Sequence, residues 1–324
     1  MSPRIAVTGR IPEAGMELLH EAGDVVAWDS LDVPTVEQVH ALVAGAEAAL
    51  TLLTTKVDDA FLDAAGPQLK VVANVAVGYN NLDVAACARR GVVCTNTPGV
   101  LTEATADIAM ALVLAATRRL GEGERVIRSQ QPWQWGMFYM LGAGIQGRQL
   151  GIVGMGDIGR ALARRARAFG MTIAYSNRRP VAPDVEAELG AQFMSMEELL
   201  STSDVISLNC PYSPATHHLI GAAQLQAMKR SAFLVNTARG PIVDAAALVD
   251  ALRSGKIAGA GLDVFEHEPA VHPGLLECDN AVLIPHLGSA TQETRAAMAR
   301  LAAHNAVNVL SGVAPPTPIP PPAG

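Results

Sequence analysis

Short apolar runs alternate along the chain with stretches whose apolar residues recur every three or four positions. Residues 4–8, 25–28, 48–53, 71–75 and 92–94 are runs of strand length, rich in Val, Ala, Ile and Leu. Between them, residues 14–22 and 36–43 carry helical spacing. A continuous apolar run suits a strand buried on both faces, as in a parallel sheet covered by helices. The rhythm therefore predicts a βαβα unit. After the loop Asn96-Thr97-Pro98-Gly99, a long helix is expected over residues 102–119, with Thr102 as N-cap and Glu103 in the first turn. Ile108, Leu112, Ala115 and Ala116 fall at core-facing spacing in it.

A second series begins at Gln149. Strands are expected at residues 150–153, 172–175, 205–208, 233–236, 261–264 and 282–284. Helices are expected at 158–169, 196–202 and 245–253, and a closing helix at 291–310. The two series show no internal repeat, yet each reads as a doubly wound α/β unit with a parallel sheet. The closing helix follows the second unit and is free to pack back on the first. The length of 324 residues is about twice the ~150-residue prior for one domain, which agrees.

Composition sharpens this picture. The chain is 50% hydrophobic and 17% charged, enough for a sizeable core and unlike a disordered chain. With 24 Lys and Arg against 31 Asp and Glu, the net charge of −7 argues against a general grip on nucleic acid. Cys87, Cys94, Cys210 and Cys278 form no C-x-x-C pair and read as small buried hydrophobes in a reducing compartment, with no metal site. The most apolar helical run, 108–116, is far short of the ~20 residues a bilayer needs. A cytoplasmic protein with no membrane partner is expected. His217 and His218 lack a metal-ligand partner at useful spacing and read as surface. Residues 314–324 hold Pro315, Pro316, Pro318, Pro320, Pro321 and Pro322, which reads as an extended tail.

Two constellations carry chemistry. Gly154-Met155-Gly156-Asp157-Ile158-Gly159 fits G-x-G-x-x-G between an expected strand and an expected helix. Gly154 permits the tight turn, Gly156 lets a pyrophosphate approach the backbone, and Gly159 allows close helix–strand packing. The helix N-terminus offers free N–H groups to the phosphates. An NAD site usually ends the next strand with an acid; here stand Ser176, Asn177, Arg178 and Arg179. Guanidinium groups bind a 2′-phosphate, so NADP(H) is expected over NAD(H). A solvated surface pair is the other reading of the arginines.

Arg239, Glu268 and His286 each lie just past an expected strand. Ligands of open α/β sheets bind outside the carboxyl ends of strands, so all three can share one crevice. Hydride transfer to a ketone leaves an oxygen that needs a proton, and His is the natural donor near neutral pH. A carboxylate beside it favours the imidazolium, and an Arg can clamp a substrate carboxylate. Alone, each residue has an ordinary structural reading; the case rests on all three following a dinucleotide turn.

Over nearly its whole length the sequence resembles the D-2-hydroxyacid dehydrogenases. The matching blocks are Val77-Gly78-Tyr79-Asn80-Asn81-Leu82-Asp83, Thr95-Asn96-Thr97-Pro98-Gly99, Gly154 to Gly159, Asn236-Thr237-Ala238-Arg239-Gly240, Asp263-Val264-Phe265-Glu266-His267-Glu268-Pro269 and Pro285-His286-Leu287-Gly288-Ser289-Ala290-Thr291. Thr105-Ala106-Asp107 and the basic loop after Ser176 make it most similar to the glyoxylate/hydroxypyruvate reductase branch. The resemblance implies a Rossmann cofactor domain, residues 99–285, inserted into a flavodoxin-like substrate domain of residues 1–98 plus 286–324.

It also implies roles. Arg239 and the backbone of Val77 and Gly78 would hold the substrate carboxylate, Glu268 would pair with His286, and His286 would be the general acid. Asp263 would anchor the nicotinamide carboxamide, Thr105 would lie near the nicotinamide end and Cys210, Pro211 and Thr216 near the adenosine half, and Thr237, Ala238 and Gly288 would also bind the cofactor. The arm from Trp133 to Met140 would reach a partner in a homodimer; simple packing is its other reading. Formate dehydrogenases of this fold pair the His with Gln, and phosphite dehydrogenases place Lys where Val77 stands, so both fit less well. A D-lactate-type enzyme is the nearest rival, and a nucleotide-sensing corepressor-like binding protein is the rival outside catalysis.

Overall fold

A computed structural model describes residues 2–321. The chain divides into two compact units, residues through Leu101 with those from Ala290 onward, and Thr102–Ser289.

The first unit holds a five-stranded parallel sheet of β1 (Arg4–Val7), β2 (Asp24–Ala27), β3 (Ala48–Thr51), β4 (Val71–Asn74) and β5 (Val93–Thr95), in the order β2-β1-β3-β4-β5. The central strands β3 and β4 are buried throughout, which is why they read as unbroken apolar runs. The closing helix Gln292–Leu310 packs on the helix Glu13–Ala22 and against β3 and β4. It supplies Ala302, Ala303 and Ala306 to the core with Ile5, Leu50 and Val71.

The Pro-rich tail is extended, as its composition suggests, but it is docked. Ile319 donates its N–H to Cys94 O at 2.8 Å, Pro318 bridges Thr95 in antiparallel sense, and the Ile319 side chain is buried. The cause is the open edge of β5. An edge strand leaves backbone groups unpaired, and burying one Ile contributes about 1.5–3 kcal/mol. Pro322 lies outside the described residues.

The second unit is a seven-stranded parallel sheet. Its strands are β6 (Gln149–Val153), β7 (Thr172–Ser176), β8 (Ala191–Phe193), β9 (Val205–Leu208), β10 (Phe233–Asn236), β11 (Gly259–Leu262) and β12 (Ala281–Leu283), in the order β12-β11-β10-β9-β6-β7-β8. The helix Thr102–Thr117 begins at Thr102 itself and packs on the helix Asp157–Ala168 and on β10 and β11. It is therefore buried on more than the single stripe expected, with Thr105, Ala106, Met110 and Val113 inside.

Three differences from the sequence pattern have physical reasons. β8 and the helix Pro183–Leu189 before it were not expected; β8 is a three-residue edge strand with two exposed positions and no apolar run. β11 lies two residues earlier than its apolar residues suggest. A Cβ at Gly261 would come 2.9 Å from Leu112 Cβ, so glycine is what lets this strand lie against the long helix. Asp263 and Val264 consequently leave the strand and enter the loop beyond it. The unit border falls after Ser289, not before His286. Residues 286–288 stay with the second unit because Asp263 holds their backbone N–H groups.

Candidate active site

The sheet order sets β6 beside β9, so the chain winds away from this pair in opposite directions. Such a reversal is where open α/β sheets bind ligands. Gly154 follows β6 with a φ of 101°, left-handed backbone that L side chains rarely adopt. A Cβ there would lie 2.6 Å from the Cys210 nitrogen, so the glycine also lets the turns after β6 and β9 touch. Gly159 likewise packs on the Gly154 carbonyl. Gly156 begins the helix Asp157–Ala168 without a side-chain cap, and nothing lies within 4 Å of where its Cβ would be. Among the described residues the Asp157 and Ile158 N–H groups meet no backbone acceptor, the free helix-start amides that suit a phosphate. Buried Met155 donates its N–H to Asn177 Oδ1 at 2.7 Å, which ties the turn to the end of β7.

Ser176 and Asn177 are half-buried, while Arg178 and Arg179 are exposed and join no ion pair among the described residues. Just past β9 and β10, Asn209 Oδ1 and Thr237 Oγ1 are buried without a hydrogen-bond partner among the described residues. Orphaned buried polar atoms are rare. Together with the uncapped amides they fit a bound dinucleotide. The Thr216 hydroxyl closes its own loop, donating to Pro211 O at 2.9 Å and accepting from Ser213 N–H at 2.7 Å. Burial pushes the Cys210 thiol up to about 11.

The acid–base group forms beyond β10, β11 and β12. His286 Nδ1 meets Glu268 Oε2 at 2.8 Å, and Glu268 Oε1 accepts the Phe265 N–H at 2.9 Å. Burial acts to raise the Glu268 carboxyl, but His286, the Phe265 N–H and the Arg239 charge outweigh it and hold it below the usual carboxylate range. Arg239 is half-buried and donates Nη1–H to Ala238 O at 2.7 Å. Burial lowers its pKa against the pull of Glu268, yet a guanidinium remains charged.

Backbone geometry fixes this cluster. His286 stands at φ 53°, an uncommon conformation for a residue with a side chain. Its N–H donates to Asp263 O at 2.9 Å, and the next two N–H groups, Leu287 and Gly288, donate to the buried Asp263 carboxylate at 2.5 and 2.8 Å. Burial raises the Asp263 carboxyl despite these donors and His286. Thr105 donates its hydroxyl to Gly288 O at 3.1 Å, joining the long helix to the same loop. Gly240 presses on the next loop: a Cβ there would overlap the Phe265 carbonyl. In the first unit, Val77 and Gly78 are half-buried in the loop after β4.

Two supports escaped the sequence reading. Asn236 accepts the Ala238 N–H at 3.0 Å and donates to Arg239 O at 2.9 Å, bracing the loop from within. His218 was expected on the surface but is half-buried at φ 50°, with Nε2 at 2.5 Å from Glu266 Oε1. Glu266 also accepts the Ala245 N–H at 3.2 Å; burial acts to raise its carboxyl, but these partners outweigh it and lower it. His217 is exposed, its ring stacked on that of His218 at 4.0 Å. Among the described residues no cluster of His, Cys, Asp and Glu could hold a metal, and no helix is long and apolar enough to cross a membrane.

Residues 110–288 match the family described as D-isomer specific 2-hydroxyacid dehydrogenase, NAD binding domain. The chain belongs to this family. Within the 2-hydroxyacid dehydrogenases it is 47% identical to a glyoxylate reductase of Thermococcus onnurineus (strain NA1), over 98% of this chain and 96% of that one. A solved Thermus thermophilus protein superposes with a TM-score of 0.90 at 42% identity, covering 98% of this chain and all of its own. The NADPH-dependent glyoxylate/hydroxypyruvate reductase of Sinorhizobium meliloti, solved with NADP and malonate, gives 0.83 at 36% identity, covering 98% and 97%. The two parallel α/β sheets are those of this oxidoreductase family.

Proposed function

We propose that this chain is an NADP(H)-preferring reductase of small 2-oxo acids, glyoxylate and hydroxypyruvate, with His286 as the proton donor. The His286–Glu268 pair, at the sheet end that also bears the glycine turn, carries this reading. A reduced nicotinamide supplies the hydride when bound. The carbonyl oxygen then needs a proton. With Nδ1 resting on Glu268, Nε2 is the His286 nitrogen left to hold it, and the Glu268 contact fixes the orientation of the ring. Arg239 suits the substrate carboxylate and polarises the oxo group, with the Val77 and Gly78 amides as further carboxylate donors. Asp263 retains lone pairs for a carboxamide.

The NADP preference rests on the end of β7, where no acid stands and two exposed arginines follow Asn177. The Sinorhizobium relative, named NADPH-dependent, supports it. One assay panel tests both parts: oxidation of NADPH and NADH with glyoxylate, hydroxypyruvate and pyruvate. The double change Arg178→Ala and Arg179→Ala should raise KM for NADPH by about tenfold or more, the loss of one or two charge-assisted bonds, and leave NADH nearly untouched. Equal effects on both dinucleotides remove the preference. His286→Ala should lower kcat by about 10²–10⁴-fold; near-normal turnover in it overturns the proton-donor role, and preference for pyruvate points to a D-lactate-type enzyme.

A further inference from the structure

The loop of Val77 and Gly78 is held by a network that runs to the C-terminal tail. Val77 O accepts Asn96 Nδ2–H at 2.8 Å, and Gly78 O accepts Asn74 Nδ2–H at 3.1 Å. A peptide group is planar, so pinning the Val77 carbonyl also aims the Gly78 N–H in the opposite direction. Among the described residues that N–H meets no backbone acceptor. The donor Asn96 is itself clasped by the tail. Its backbone oxygen accepts the Thr317 hydroxyl at 2.7 Å and Asn305 Nδ2–H at 3.3 Å, and its N–H donates to Thr317 O at 3.3 Å. Thr317 is locked to Asn305, which is fully buried on the closing helix: the Thr317 N–H donates to Asn305 Oδ1 at 3.0 Å and its Oγ1 accepts Asn305 Nδ2–H at 2.8 Å.

The residues around Thr317 suit this task. Pro316 and Pro318 fix their own φ angles, and the buried Ile319 anchors the strand-like segment one step further on. A tail that served only to cover the edge of β5 would need its backbone and Ile319 alone; the Thr317–Asn305–Asn96 cluster adds a specific polar clasp.

We propose that Thr317 is a positioning residue for substrate binding, acting through Asn96 on the amide that receives the 2-oxo acid carboxylate. The inference rests on the reading of Val77 and Gly78 as carboxylate donors. Thr317→Val removes the hydroxyl at nearly constant size. It should raise KM for glyoxylate about three- to tenfold, the worth of one neutral hydrogen bond, with a smaller change in kcat and no change in the dissociation constant for NADPH, whose proposed binding residues lie on the second unit. Thr317→Ser should restore the wild-type KM. A lowered melting temperature with an unchanged KM in Thr317→Val overturns the proposal and leaves the tail a structural cover. Gly78→Pro, which deletes the amide hydrogen itself, separates the two readings. If it raises KM while Thr317→Val does not, only the role of the tail fails. If neither raises KM, the assignment of the loop as carboxylate donor fails as well.

Discussion

At the residue scale the decisive object is the carboxylate of Glu268. It is held by His286 and by the Phe265 N–H and lowered from its ordinary value of 4.5. A carboxyl lowered on folding stabilises the folded state above its unfolded value and loses that contribution as pH falls through the folded one. Glu268→Gln should therefore melt below the wild type at neutral pH, and the gap should close once pH drops well under 4.5. Melting curves across that range check the sign; a gap that widens in acid contradicts it. The residue types themselves were legible, because Arg239, Glu268 and His286 each follow an apolar run. His218 was not, since its partner Glu266 is 48 positions away and a lone His carries no mark of such a partner. Nor could the sequence show that each Asp263 oxygen accepts one of the two amides after His286.

At the scale of elements, loops after neighbouring strands must lie against one another before their side chains can cooperate. Gly240 is the contact point, since any side chain there would meet the Phe265 carbonyl. Gly240→Ala should push the Arg239 loop away from the loop that carries Glu268. Overpacking of this kind costs about 1–3 kcal/mol, so a fall of several degrees in melting temperature is expected, with at least a tenfold loss in kcat/KM. Unchanged kinetics in a folded variant would show that the two loops act independently. Most strands and the longer helices were readable from periodicity, down to matching bounds for Val36–Val43, Met196–Thr202 and Ala245–Arg253. Two of the misses have local causes: β8 is too short and exposed to leave an apolar run, and β11 carries glycine at two of its four positions, which blurs where the strand begins.

For the whole molecule, average charge hides the chemistry. The chain carries −7, yet both proposed ligands are anions, so attraction must be local to Arg239, Arg178 and Arg179. Apolar exposure is local too. Trp133, Trp135, Met137, Phe138 and Leu141 are all at least half exposed on one arm, a density that marks an interaction surface. We expect a second copy of the chain to cover it. Sedimentation at micromolar concentration should find a dimer, and Trp135→Ser with Phe138→Ser should shift it toward monomer; a wild-type monomer refutes the expectation. The resemblance suggested this arm, whereas the docking of the tail on β5 had no precursor in its proline-rich composition.

The closing helix and tail also set a timetable. Thr102–Ser289 is one continuous stretch and can complete its sheet as soon as it leaves the ribosome. The first unit cannot, because β3 and β4 lack the cover of Gln292–Leu310, and β5 lacks Ile319, until the whole second unit has been made. Synthesis usually lets the N-terminal part fold first; here β1 to β5 wait for residues on the far side of the second unit. The nascent chain thus carries an unfinished apolar sheet while the whole of Thr102–Ser289 is being made, and that uncovered surface is what a chaperone would shield.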